Sequence, residues 1–153
     1  FPHAKKCGEV MSQGFSVAGK RILITGASSG FGAHFAMALA EEGADLVLAA
    51  RRVEKLEDTA RAVRDLGRDA TVVPMDVSDH ASVEAAFADM PALDVVVNNA
   101  GVSHEGPTEN IAEDEWDRVV DTNLKGVWAV SKFAIQQWKR DERPGSLINI
   151  ASI

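Results

Sequence analysis

Residues 21–32 read Arg-Ile-Leu-Ile-Thr-Gly-Ala-Ser-Ser-Gly-Phe-Gly, RILITGASSGFG. The first five residues form a short apolar run with no polar alternation. Such a run fits a strand buried on both faces of a parallel sheet. Three glycines follow within seven positions: Gly26, Gly30 and Gly32. A strand that breaks into glycine and then into helical spacing needs a tight turn and a close helix-to-strand contact. Residues without a Cβ supply both.

The same alternation continues along the chain. Strands are expected at Arg21–Thr25, Asp45–Ala50, Ala70–Pro74, Leu93–Asn98 and Ser146–Ile150. Between them lie helical stripes. Phe31, Phe35, Ala38 and Leu39 form the first. Val53, Leu56, Ala60, Val63 and Leu66 form the second, closed by Gly67. Val83, Ala86, Phe87 and Met90 form the third, with Ser78 or Asp79 as N-cap and Pro91 behind it. The fourth is the longest. It opens on Glu113, Asp114 and Glu115, where the helix dipole favours negative charge, and its stripe runs from Trp116 through Asn123 to Trp138. Strand and helix in strict alternation give an α/β fold, a Rossmann-type doubly wound parallel sheet, here ending after the fifth strand.

The glycine loop then acquires a chemical meaning. In this position its backbone can approach a pyrophosphate, and the N-terminus of the next helix offers free N–H groups and positive dipole to phosphate. Gly26, Ser28, Ser29, Gly30, Phe31 and Gly32 are the candidate contacts. The spacing is Gly-x-x-x-Gly-x-Gly, which differs from the commonest dinucleotide fingerprint, and no Lys-Ser or Lys-Thr follows to make a nucleoside-triphosphate loop. A carboxylate at the end of the second strand would bind the ribose hydroxyls of NAD. That strand ends in Ala50, followed by Arg51 and Arg52. Guanidinium groups there suit a 2′-phosphate, so NADP is expected in preference to NAD.

Net charge is −7, which argues against nucleic acid or an anionic membrane surface as the main partner. A single cysteine, Cys7, allows no internal disulfide. No apolar run reaches membrane-span length, and FPHAKKCGEV at the start lacks the apolar centre of a signal peptide, so a cytoplasmic location is expected. Residues 1–18 are read as an N-terminal extension, upstream or added before Met11, and residues 19–153 as an incomplete nucleotide-binding domain. Histidines and acids show no metal-ligand spacing.

From about Gly19 onward the chain resembles the short-chain dehydrogenase/reductase family. The resemblance rests on TGASSGFG, MDVSD, NNAG, DTNLKG and GSLINIASI, in that order. It implies that Asp76, with Val77, faces the adenine, although turn and capping chemistry would equally account for an aspartate there. It implies that Asn99, Ala100 and Gly101 shape the floor of the cofactor cleft, with a structural role for the asparagines at least as well founded. It also implies that Asn123 and Ser152 belong to a catalytic tetrad. Asn123 would hold a proton-relaying water; its position on an apolar stripe otherwise reads as a buried, satisfied amide that kinks the helix. Ser152 would donate a hydrogen bond to the substrate carbonyl.

The family's tyrosine and lysine complete the tetrad a little beyond the serine. This sequence contains no tyrosine and stops at Ile153. The expected function of the intact protein is hydride transfer between NADP(H) and a small carbonyl or alcohol substrate, in a homodimer or homotetramer. The fragment alone is expected to be inactive. The alternative is a non-catalytic nucleotide-binding or interaction module.

Overall fold

The computed structural model describes residues 16–151. Cys7, Met11 and Ser152 lie outside the described residues. Five strands, β1 Arg21–Thr25, β2 Asp45–Ala50, β3 Ala70–Pro74, β4 Val95–Asn98 and β5 Ser146–Asn149, form one parallel sheet in the order β3-β2-β1-β4-β5. The helices are α1 Gly30–Glu41, α2 Val53–Asp65, α3 His80–Ala88, α4 Glu113–Val120 and α5 Gly126–Arg140. The chain winds outward from β1 to β3, then returns to place β4 on the other side of β1. Strand order therefore reverses between β1 and β4, and the crevice at their carboxyl ends is where such sheets bind ligands.

Two apolar clusters cover the two faces. Ile22, Ile24, Leu46 and Leu48 alternate toward α1 and α2, where Ala36, Leu56, Ala60 and Val63 meet them. Leu23, Val47 and Val96 point the other way, onto Val83, Phe87, Val130, Ala134 and Trp138 of α3 and α5. Asp79 caps α3, its side chain accepting from the Ala81 N–H, and Gly67 follows α2 with φ +77°. Val17 packs against the first cluster, so contact with the core is already made two residues before Gly19.

The first helix departs from its expected stripe. Phe31 is 73% exposed and Ala38 is exposed, while Gly32, Ala36 and Ala40 are buried. Small residues at i, i+4 and i+8 let this helix lie close to the sheet, and the large rings are left at its edge. β5 also differs from a strand buried on both faces: all four of its residues are exposed, because no described element covers it.

The expected fourth helix is interrupted. A π-helical turn, Asp121–Lys125, joins α4 to α5. Trp116, Leu124, Trp128 and Ile135 along it are exposed, so the long stripe is only partly a core face. The buried residues of α5 are Gly126, Ala129, Val130, Ala134, Gln137 and Trp138. Gly126 fits because a Cβ there would come within 2.9 Å of the Val77 carbonyl oxygen. Gln137 is buried yet satisfied, accepting from the Leu93 N–H and donating to the Met90 and Pro91 carbonyls.

Candidate functional site

A cleft of about 410 Å³ opens at the carboxyl ends of β1, β2, β3 and β4. One end is built by Ser28, Ser29, Arg51, Arg52, Met75, Asp76 and Val77, and the other by Asn99, Ala100, Gly101, Val102 and Thr122, with Gly26 and Phe31 also on its wall. Most of the residues singled out in the sequence therefore converge on one cavity. Gly30 and Gly32 are not on its lining. Gly30 has φ +56° and open space where a Cβ would point. Gly32 lies beneath the loop, where a Cβ would meet the Gly26 carbonyl oxygen and approach Asn99 Nδ2 to 2.6 Å. Met75, Val102 and Thr122 also line the cavity without having been singled out, although Met75 opens MDVSD and Thr122 lies in DTNLKG. Thr122 could have been inferred from its place beside Asn123.

The floor is held by Thr25. Its buried hydroxyl oxygen accepts from the Asn99 and Ala100 N–H groups, each at 3.0 Å, while Asn99 Nδ2 donates to the Thr25 carbonyl at 2.9 Å. The Asn99 amide is thus structural, tying the end of β4 to the end of β1. Gly26 adopts φ +68°, and a Cβ on it would stand 2.8 Å from Ala100 Cα. Only glycine permits this approach. Asn98 donates from Nδ2 to Asn149 and Ser131, and its buried Oδ1 has no partner among the described residues.

Asn123 sits in the π-turn and is exposed, which corrects the expectation of a buried amide. The extra residue of the turn swings its side chain off the packed face. The amide is nonetheless bonded through both its polar atoms: Oδ1 accepts from the Val102 N–H at 2.9 Å and Nδ2 donates to the Val102 carbonyl at 2.8 Å. The loop after β4 is clasped further by Arg118, which donates to the Ser103 carbonyl, and by His104 Nδ1, 2.7 Å from Glu115 Oε2. π-turns concentrate at functional positions.

At the opposite end, Arg51 Nη1 lies 3.7 Å from Asp76 Oδ2. Asp76 Oδ1 accepts from the Ser78 hydroxyl at 2.7 Å and the Ser78 N–H at 3.0 Å, so the turn chemistry is present alongside the position in the cleft. Burial alone would raise the Asp76 pKa. The Ser78 hydrogen bonds and the Arg51 charge outweigh it and hold the carboxyl below its ordinary value. A depressed folded-state pKa stabilises the fold above the unfolded value of about 3.9 and loses that contribution as pH falls through the folded value. Asp76→Asn is therefore expected to lower the Tm at pH 7, with the gap from the parent closing below about pH 4; thermal unfolding followed from pH 7 to pH 3 checks this. A gap independent of pH would refute it.

Among the described residues, no group of three or more His, Cys, Asp or Glu side chains could hold a metal ion, and no helix is long and apolar enough to cross a membrane.

Known proteins are similar to this chain in sequence and in fold. The 3beta-hydroxysteroid dehydrogenase 1 of Eggerthella lenta is 36% identical over 140 residues, which are 88% of this chain and 54% of that protein. The 3-oxoacyl-(acyl-carrier-protein) reductase FabG of Staphylococcus aureus is 37% identical over 139 residues, 88% of this chain and 56% of that protein. The chain thus spans about half the length of the curated relatives it matches. Among solved structures, a gluconate 5-dehydrogenase from Burkholderia cenocepacia in complex with NADP and tartrate superposes with a TM-score of 0.81 at 37% identity, covering 88% of this chain and 54% of that one. A metagenomic short-chain oxidoreductase in complex with NADP gives 0.81 at 35% identity, covering 91% and 65%. The short chain dehydrogenase family itself matches residues 20–153, and with the parallel sheet, the glycine loop and the cleft at the strand reversal in place, this chain belongs to it.

Proposed function

We propose that this chain is the dinucleotide-binding part of an NADP-dependent oxidoreductase that acts on a carbonyl or alcohol substrate. The observation that supports it most is the end of the cleft beyond β2. Both Arg51 and Arg52 line it, and the position after Ala49 that would carry the NAD-binding acid is Ala50, itself on the wall. The cleft has the volume of a ligand site, and Gly26 leaves the backbone open to a pyrophosphate. Gly26, Ser28, Ser29, Phe31 and Gly101 would hold the phosphates and riboses, and Asp76 with Val77 the adenine. The bound dinucleotide would supply the hydride to a carbonyl or take it from an alcohol.

Asn123 is the one proposed tetrad residue among those described. Both polar atoms of its side chain are bonded to Val102, so its part would be to fix the loop and the π-turn around the position of an ordered water. Ser152 would polarise the substrate carbonyl. The 153 residues contain no tyrosine, so the proton donor of the reaction must come from outside them, and the isolated chain is proposed to bind dinucleotide without turnover. The exposed Leu124, Trp128 and Ile135, which share a helix face, suit a homo-oligomeric contact in the intact protein.

Fluorescence titration with NADPH and NADH tests the cofactor assignment. NADPH is expected to bind about tenfold tighter or better, and the Arg51→Ala/Arg52→Ala double variant to lose that preference. Equal affinities in the parent chain would overturn the assignment.

A further inference from the structure

Three successive residues of the loop after β4 are each held from the helix that follows it. Val102 is bonded to Asn123, the Ser103 carbonyl accepts from Arg118 Nη2 at 3.2 Å, and His104 Nδ1 lies 2.7 Å from Glu115 Oε2. The loop meets Asn123, Arg118 and Glu115 in that order, so it runs back along α4. Glu115 and Arg118 stand three positions apart on one helix face, a spacing at which opposite charges ordinarily pair. They are not joined here; each reaches the loop instead. A carboxylate only accepts, so the imidazole Nδ1 carries the hydrogen of its bond to Glu115. Behind the ring passes Gly106, with φ +141°, where a Cβ would stand 3.2 Å from His104 Nε2.

We propose that Glu115, Arg118 and His104 are positioning residues for the end of the cleft away from the arginines, fixing the wall that would receive the nicotinamide half of the dinucleotide. The inference rests on the dinucleotide reading above and extends it to three residues that do not line the cleft. The wall is fixed in two independent parts. Asn99 and Ala100 are tied to Thr25 and need nothing from α4. From Val102 the chain leaves the sheet, and before α4 it contains only a 3₁₀ turn at Thr108–Asn110. Such a segment samples many conformations unless it is held, and ordering it on binding would subtract from affinity. The Asn123 amide holds Val102 at one point, about which the loop could still pivot. The bonds at the next two residues fix its direction, and the charge on Arg118 strengthens the one to Ser103. Gly101, Val102 and Thr122 are then set in place on the wall before any ligand arrives.

Calorimetric titration of the full chain with NADPH and with adenosine 2′,5′-bisphosphate, at one ionic strength, tests this. The bisphosphate carries only the adenosine half, so the ratio of the two Kd values reports the rest of the cofactor. The parent is expected to bind NADPH about thirtyfold more tightly than the bisphosphate. Glu115→Ala/Arg118→Ala is expected to cut that ratio by about tenfold while the bisphosphate Kd moves less than about twofold. Glu115→Gln removes the charge but keeps an acceptor oxygen for the imidazole N–H, and is expected to hold the ratio within about threefold of the parent. An unchanged ratio in the double variant, whether both affinities hold or both fall together, would overturn the proposal. So would a parent ratio near one, or a Glu115→Gln ratio as low as that of the double variant, since surface charge and not the clasp would then set the affinity. In these cases NADPH still binds the parent and the dinucleotide reading stands. If the parent binds neither probe, the reading and the clasp fall together.

Discussion

Replacing Trp138 by alanine is expected to destabilise the chain by about 4 kcal/mol, the range for removing a large buried aromatic. Trp138 is 8% exposed and packs in the cluster shared by α3, α5 and the sheet. Its indole N–H donates to the Leu93 carbonyl at 2.7 Å, its own carbonyl accepts from the Arg143 N–H, and its ring lies directly over Gly145, where a Cβ would run into it. One side chain therefore fixes the end of α5, the approach to β4 and the turn into β5. Deletion removes the packing, leaves a cavity and strips a buried carbonyl of its donor. Trp138→Phe keeps most of the volume and is expected to cost about 1–2 kcal/mol, chiefly for the Leu93 carbonyl. Urea unfolding of both variants checks this; a loss under about 1 kcal/mol for the alanine variant would refute it.

Leu93 also shows why strand ends are hard to read from a sequence. It belongs to an apolar run and was expected to begin the fourth strand, which starts instead at Val95. Both its backbone groups are diverted: the N–H goes to Gln137 and the carbonyl to Trp138. A residue so occupied cannot enter the ladder, and nothing local to it announces partners more than forty positions away. Strand and helix placement were legible because apolar periodicity reports burial directly. The bulk of Phe31 misled in the opposite sense, since packing against the sheet favoured the small face of α1 over the hydrophobic one. The site follows the same division. The glycines and the arginines announced themselves by residue type at a strand end, and Asp76 by the resemblance of MDVSD. The π-turn that exposes Asn123 and the tether that holds Arg52 to the glycine loop depend on contacts about twenty residues distant, and residue type alone does not encode them.

Gly32→Ala is expected to weaken NADPH binding by about a hundredfold while the chain stays folded, because a single methyl group would land where the loop has no room to move. The added Cβ would meet the Gly26 carbonyl oxygen and stand 2.6 Å from Asn99 Nδ2. Neither neighbour can yield cheaply. Gly26 is backbone in a left-handed conformation against Ala100, and the Asn99 amide is bonded to the Thr25 carbonyl. α1 must therefore back away from the loop, carrying with it the N-terminal N–H groups that would face the pyrophosphate. Overpacking of this kind costs about 1–3 kcal/mol in stability, which the chain can bear, but a shift of one ångström in a phosphate cradle is enough to lose its hydrogen bonds. Gly30→Ala separates this effect from simple loss of a glycine. Gly30 has φ +56° and nothing within 4 Å of a Cβ, so the cost there is conformational alone, about 1 kcal/mol, with the cradle left in place. Fluorescence titration of both variants beside their melting curves decides the matter. If Gly32→Ala binds NADPH as the parent does, the steric argument for the loop fails. If Gly30→Ala is the weaker binder of the two, strain at the turn governs the cradle more than the fit of helix against strand.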